Sequence, residues 1–367
     1  MSVPEAAVRR RLSARARATA LGVVVLVAAV LIGLLVGPVR IGAANVFRWL
    51  FSFGNAPPGM SEQQALILAD LRLPRVIVAG LVGASLAASG AAYQAVFRNP
   101  LADPYLLGAA AGAGLGATIA VAYGPSGALD LTVPAAAFVG ALLGVGLAYG
   151  LGRSSLGGRA TTSLVLAGVA VASFLTAVQT FLQQQRSETL RQVYTWILGR
   201  LGTTGWDDVR LALPSVALAI ATLWAVRRLL DVIEVGDVEA QSLGLNVTRL
   251  RLVVVIAASL ATAAAVAVAG LIGFVGLIVP HTVRLMVGGS YRSVLPLSVL
   301  FGASFLILVD TLARTVIAPA EIPIGVITAF IGAPFFVVVL RRNGGAGGLK
   351  KRVRSASGSP PDGREAA

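Results

Sequence analysis

Residues 251–289 have the sequence RLVVVIAASLATAAAVAVAGLIGFVGLIVPHTVRLMVGG, two apolar stretches joined without a polar loop. Between Leu252 and Val283 there is no aspartate, glutamate, lysine or arginine. Each stretch approaches the length of about 20 apolar residues that a helix needs to cross a bilayer. Glycines and Pro280 predict a break between the two helices. Broken backbone persists at membrane depth only where protein or a water-filled cavity covers it, so this break is a candidate lining of a pathway.

Similar apolar blocks recur along the whole chain. Of its 367 residues, 56% are hydrophobic and only 13% are charged, about half the charged share usual in soluble domains. We therefore predict an all-α, polytopic membrane protein with about ten transmembrane helices. The predicted spans are 19–37, 74–95, 105–123, 131–151, 161–183, 211–230, 251–270, 271–289, 294–313 and 323–340.

The two ends of the chain carry many of its basic residues. Residues 1–18 are predicted to form a basic N-terminal tail, 19–342 the ten-helix domain, and 343–367 a disordered C-terminal tail. An even number of spans places both tails on one side, and their arginines and lysines place that side in the cytoplasm. The tails suit contact with anionic lipid, and the absence of interleaved aromatic residues argues against nucleic acid.

The sequence also excludes several kinds of chemistry. The chain contains no cysteine and a single histidine, His281, so a thiolate or histidine-rich metal site is not expected. No GxxxxGK[ST] phosphate loop occurs, so any ATP must be bound by a separate subunit. No paired carboxylates or nucleophile–base pair is evident in the spans, so we predict neither an enzyme nor a resident cofactor. The spans also lack the chain of acidic residues and histidines that a proton-coupled transporter usually needs.

Small and charged residues predict contacts within the membrane. Gly112 and Gly116 form a GxxxG pair, as do Gly140 and Gly144, and such pairs let helix backbones approach closely. Asp310 and Arg314 are four residues apart on span nine, so they share a helix face and can pair. That pair has either a structural role or a role in transport. The polar segment 231–246 is either a solvated connector or a surface for a partner protein.

Five motifs occur in order along the chain. They are LRLPR (71–75), GAAYQAVFRNPLADPYLLG (90–108), GDVEAQSLGL (236–245), GLIGFVGLIVPHTVRL (270–285) and EIPIGVITAFIGAPFFVVVL (321–340). Together they resemble the FecCD family of permeases, which import iron-siderophores, haem and cobalamin. The resemblance runs from about residue 20 to residue 342, and the combination of long motifs is highly specific.

The resemblance implies an architecture and a set of partners. It implies ten helices with two inverted groups, spans two to five and seven to ten. It further implies a homodimer, two cytosolic ATP-binding subunits and an extracytoplasmic substrate-binding protein, in a bacterial plasma membrane. The expected cargo is an iron-siderophore complex, with cobalamin or haem as alternatives. An alternative of another class is a secondary transporter that works without an ATPase.

The resemblance also implies roles for particular residues. Arg72, Arg75 and Arg314 resemble the external cations that dock the binding protein, although arginines there can also snorkel to the interface. The residues that resemble the ATPase coupling region are Gly236, Asp237, Glu239, Ala240, Leu243, Gly244 and Leu245.

Two further groups of residues are candidates. Thr161 and Thr162 match the family's cytoplasmic gate, although they can equally cap a helix. Gln179, Gln183 and His281 are possible contacts along the pathway. The turn 97–104, which contains Asn-Pro and Asp-Pro, is predicted to be rigid, and the sequence assigns it no separate role.

Overall fold

The computed structural model of the chain describes residues 5–52, 57–125, 129–154 and 160–356. Within these ranges the helices are joined by turns and loops, and there is no β-strand. The α-helices are α1 (Glu5–Leu35), α2 (Ala43–Phe51), α3 (Glu62–Leu66), α4 (Leu73–Phe97), α5 (Ala109–Tyr123), α6 (Leu129–Ser154), α7 (Ala160–Gln185), α8 (Leu190–Ile197), α9 (Trp206–Val235), α10 (Asp237–Ser242), α11 (Val247–Ala269), α12 (Val275–Val287), α13 (Tyr291–Ala313) and α14 (Ile324–Ala356). A π-helical turn, Ile67–Arg72, leads into α4, and a 3-10 turn, Ser187–Thr189, precedes α8.

Each predicted span coincides with one helix: α1, α4, α5, α6, α7, α9, α11, α12, α13 and α14. Among the described residues, six helices are long and apolar enough to cross a membrane, namely α1, α6, α7, α9, α11 and α13. The helix α5, the helix α12 and the first part of α14 are shorter apolar helices. The all-helical membrane fold is therefore confirmed, whereas a count of ten crossings stays a prediction.

Two groups of four helices repeat the same order of lengths. The first group is α4 to α7 and the second is α11 to α14; each starts with a long buried helix, continues with a short one and ends with two long ones. The groups interlock, because α4 packs against α13 and α11 packs against α6. The first helix of each group thus lies on the third helix of the other, and the opposite orientation of the two groups stays a prediction.

Close glycine contacts hold the helices together. A Cβ atom on Gly112 of α5 would overlap the carbonyl oxygen of Gly140 on α6, and one on Gly116 would overlap that of Ala136. The GxxxG stripe therefore brings two helix backbones into direct contact, as the sequence predicts.

The C-terminal segment differs from the expectation. The helix α14 continues to Ala356, so residues 343–356 of the predicted disordered tail are helical. This stretch contains four glycines, which disfavour helix, so its composition does not account for the helical form. Residues 357–367 lie outside the described ranges, and disorder there stays a prediction.

Candidate functional site

The predicted helix break is present between α11 and α12, at residues 270–274. Side chains and backbone from other segments satisfy its polar groups. The Arg200 N–H donates to the Ala269 carbonyl at 2.9 Å. The Tyr105 hydroxyl donates to the Ile272 carbonyl and accepts from the Ile272 N–H, both at 3.1 Å. Because unpaired backbone groups are costly inside a bilayer, these partners allow the chain to stay unwound here.

A cavity of about 680 Å³ lies beside the break. Apolar residues form most of its wall, among them Ile197, Leu198, Leu271, Phe274, Val326 and Ala329. The start of α14 closes one side, since the Ile324 N–H donates to the Gly199 carbonyl and the Gly325 N–H to the Leu198 carbonyl, both at 3.1 Å. The cavity thus joins three segments: the end of α8, the break and the beginning of α14.

A buried cluster of charges lies at the opposite end of the bundle from the 236–245 segment. Arg75 donates to Asp310 at 2.8–3.1 Å and to Glu321 at 2.7 and 3.0 Å. The Asp310 side chain is 1% exposed and that of Glu321 is 37% exposed. The predicted pair between Asp310 and Arg314 also forms, at the longer distance of 3.7 Å. One guanidinium therefore connects α4, α13 and the segment that leads into α14.

The remaining two arginines of this cluster hold the C-terminal end of α1. Arg72 donates to the backbone carbonyls of Leu34, Leu35 and Val39, the first at 2.8 Å. Arg314 donates to the carbonyl of Gly33. The last carbonyls of a helix have no intrahelical partner and carry partial negative charge, so cations are favoured there.

The burial of these arginines bears on their predicted role as external docking cations. Arg72, Arg75 and Arg314 are only 4%, 9% and 3% exposed, and each binds groups of its own chain. A guanidinium in this position cannot meet a carboxylate of another protein without leaving its present partners. In this conformation the three arginines bind groups within their own chain, and docking through them stays a prediction.

The 236–245 segment forms a short projecting helix. The helix α10 starts after Gly236, whose φ of 158° favours glycine, and its Ala240 is buried. Val238 and Leu243 are 76% and 75% exposed, which is unusual for apolar side chains on so polar a segment. An exposed apolar patch on a projecting helix is typical of a protein–protein interaction site.

Asp237, the first residue of α10, ties this segment to the bundle. Its carboxylate pairs with Arg98 after α4 and with Arg251 of α11, both at 3.1 Å. Arg251 is buried, Asp237 is half-buried and Arg98 is exposed. The segment is therefore held at its first residue, while its apolar side chains project outward.

Comparison with known proteins identifies this arrangement. Residues 25–342 match the FecCD transport family. The chain belongs to the FecCD transport family. This match confirms the resemblance of the five motifs, and its limits agree with the range inferred from them.

Several relatives of this FecCD permease have named functions. The cobalamin import system permease protein BtuC of Halobacterium salinarum is 43% identical over 77% of this chain and 75% of its own length. The iron(3+)-hydroxamate import system permease protein FhuB of Bacillus subtilis is 37% identical over 83% of this chain and 79% of its own. The hemin transport system permease protein HmuU of Yersinia pestis is 37% identical over 85% and 93%. The chain is thus an ABC importer permease, and such permeases are not themselves enzymes.

A solved structure shows the same fold. It is described as an inward-facing conformation of a metal-chelate type ABC transporter, and it superposes on this FecCD permease with a TM-score of 0.77 at 30% identity. The superposition covers 88% of this chain and 97% of that one. The likeness extends over nearly the whole helical domain.

The predicted gate lies at the start of α7. Thr162 is exposed there, and the side chain of Thr161 lies outside the described residues. An exposed hydroxyl at the end of a helix is compatible with a gate facing a central pathway, which stays a prediction for this FecCD permease.

The other predicted pathway residues differ in their placement. Gln179 is buried and packs against Gly114 of α5, where a Cβ atom would lie 2.8 Å from its Oε1, so it faces a neighbouring helix. Gln183 is half-buried. His281 is half-buried with its ring edge against Phe335 of α14, at 5.8 Å between ring centres.

Four residues that hold the site together were not singled out in the sequence. Arg98, Tyr105, Arg251 and Glu321 fix the projecting helix, the break and the start of α14. Three of them, Arg98, Tyr105 and Glu321, lie inside the motifs that carry the family resemblance, and this was the available signal.

Proposed function

We propose that this chain is the permease subunit of an ATP-driven importer for a metal chelate. The observation that carries the proposal is the continuous family match over residues 25–342. The chain is expected to form a dimer with a second copy and to work with two ATPase subunits and a binding protein on the outer face. Its basic ends then face the cytoplasm of a bacterial cell.

The ATPase is proposed to bind the projecting helix. Val238 and Leu243 supply exposed apolar surface, and Asp237 fixes the segment that carries them. Apolar side chains in a polar surrounding are a typical centre of a protein interface. Replacing both Val238 and Leu243 by glutamate should release the ATPase subunits during purification.

A matched variant keeps the apolar surface. The double substitution Val238→Leu and Leu243→Val should retain the ATPase subunits in the purified complex. If the two glutamates leave the amount of bound ATPase unchanged, the helix is not the binding surface. The mass of the purified unsubstituted complex tests the stoichiometry, for which we expect two permeases and two ATPases.

The cargo is proposed to be cobalamin, because the permease named for cobalamin import shares 43% identity with this chain. A ferric siderophore, the cargo expected from the sequence, is the second candidate, and it is supported by the hydroxamate permease at 37% identity. The apolar wall of the cavity beside α14 favours a cargo that presents apolar groups rather than a bare ion.

Transport in proteoliposomes separates these possibilities. Vesicles that contain the permease, its ATPase and its binding protein would be offered cyanocobalamin, a ferric hydroxamate, ferric citrate and hemin in parallel. We expect one cargo to accumulate only when both ATP and the binding protein are present. Accumulation without ATP would instead indicate a secondary transporter and would contradict the proposed function.

A further inference from the structure

The turn between α4 and α5, residues 98–108, has an internal framework of its own. Asn99 Oδ1 accepts from the Leu101 N–H at 3.0 Å, and Asp103 Oδ1 accepts from the Tyr105 N–H at 2.8 Å. Such side-chain-to-backbone bonds are the usual stiffening of Asx turns. Proline follows both Asn99 and Asp103, and it fixes the backbone φ angle at each place.

The first residue of this turn contacts the projecting helix. Arg98 has a φ of 48°, in the left-handed region that non-glycine residues seldom adopt. In that conformation its guanidinium pairs with the Asp237 carboxylate at 3.1 Å. The same carboxylate binds Arg251. The left-handed backbone at Arg98 is thus accompanied by a direct link to the first residue of α10.

The other end of the turn contacts the helix break. The Tyr105 hydroxyl satisfies both backbone groups of Ile272. Pro104 packs on Gly276, where a Cβ atom would lie 2.5 Å from the proline ring. The Gln94 amide, one turn before the end of α4, donates to the Gly276 carbonyl at 3.0 Å. Residues 98–108 therefore contact both the unwound residues of the break and the first helical turn of α12.

Beyond the break, the contacts continue to the cavity. Leu271 lies in the cavity wall, and its carbonyl is 3.0 Å from where a Cβ of Gly325 would be. Gly325 is the second residue of α14, and its N–H donates a hydrogen bond to the Leu198 carbonyl. A displacement of the break would therefore move the wall that α14 forms.

We propose that the turn 98–108 transmits movement of the projecting helix to the helix break and so to the cavity beside α14. Arg98 and Tyr105 are its positioning residues, because each bonds a different moving part while the turn between them is stiff. This inference rests on the proposed function, since it assumes that an ATPase moves the projecting helix. It assigns a role to a motif that the family resemblance left without one.

The test compares transport per ATP hydrolysed in proteoliposomes. Tyr105→Phe removes one hydroxyl and leaves the ring, so the complex should assemble and hydrolyse ATP at a rate near that of the unsubstituted complex. We expect cyanocobalamin or ferric hydroxamate uptake per ATP to fall about tenfold, which corresponds to a loss of coupling in the usual range. Tyr194→Phe, at an exposed tyrosine of α8, is the matched control and should leave the ratio unchanged.

The contact between Arg98 of the turn and Asp237 of the projecting helix is tested in the same way. Asp237→Asn should lower uptake per ATP, whereas Asp237→Glu keeps the carboxylate and should restore most of it. If Asp237→Asn fails to assemble with the ATPase, the decision rests on Tyr105→Phe, because the Tyr105 hydroxyl bonds the helix break and not the projecting helix. Equal uptake per ATP in Tyr105→Phe and in the unsubstituted complex would overturn the proposal.

A second readout does not depend on the cargo. The chain contains no cysteine, so a single Ala329→Cys places a unique thiol in the cavity wall. Its reactivity with a maleimide should change when ATP is added, and Tyr105→Phe should abolish that change. If the unsubstituted complex accumulates no cargo, the proposed function fails, and this reactivity alone decides the inference. A nucleotide response that persists in Tyr105→Phe would contradict it.

Discussion

Replacing Arg75 by methionine distinguishes an internal structural role from an external docking role. Arg75 is the main partner of Asp310, which is 1% exposed, and removing one member of a buried ion pair costs about 3–5 kcal/mol. Arg314 remains 3.7 Å from Asp310 and offsets part of that loss. Glu321 is more than one third exposed and can be rehydrated, so its contribution is at most about 1 kcal/mol. We therefore expect a loss near the lower limit, about 3 kcal/mol.

Denaturant titration in detergent micelles, followed by tryptophan fluorescence, would measure this change in unfolding free energy. Arg210→Met is the matched control, because the pair between Arg210 and Asp207 is highly exposed and should contribute less than about 1 kcal/mol. The double variant Arg75→Met, Asp310→Leu removes both charges and should recover part of the loss. If Arg75→Met unfolds like the control but weakens binding of the binding protein, Arg75 is a docking residue and the structural reasoning is refuted.

Two further outcomes follow from the packing and the charges. Gly112→Val should prevent the close approach of α5 and α6, because its Cβ would overlap the Gly140 carbonyl. The yield of folded protein in gel filtration should therefore fall. The control Gly146→Val, at an open position, should be tolerated. Burial raises the pKa of Asp103 to about 6, against the lowering effect of the Tyr105 N–H, so its ionised form is disfavoured in the folded state. The free energy of unfolding should therefore fall as the pH rises from about 4 to about 6, and Asp103→Asn should reduce that fall. Thermal melts at pH 4.5 and 7.5 measure this effect. An equal difference between the two pH values in the unsubstituted protein and in Asp103→Asn would contradict it.

The sequence alone determined the membrane class, the position of each long helix, the break near residue 270 and the polar segment 231–246 between two spans. Each of these depends on local properties: the length of an apolar run, a glycine or proline that interrupts it, or a polar stretch between two spans. The pairing of Asp310 with Arg314 was also predictable, because residues four apart on a helix always share a face. The family resemblance, confirmed over residues 25–342, rested on local motifs too.

The tertiary structure alone decided which groups those residues meet. Arginines such as Arg72 and Arg75 are usually found at the surface of a protein. In this fold, however, Arg72 binds the end of α1, and Arg75 binds two carboxylates that lie more than 200 positions further along the chain. Nothing in the sequence places Tyr105 against Ile272, or Gln179 against Gly114 of α5. The physical reason is that a charge or a hydroxyl within the bundle takes whichever partner satisfies it. That partner is fixed by how the two interlocked helix groups pack, and not by the residues adjacent in the chain.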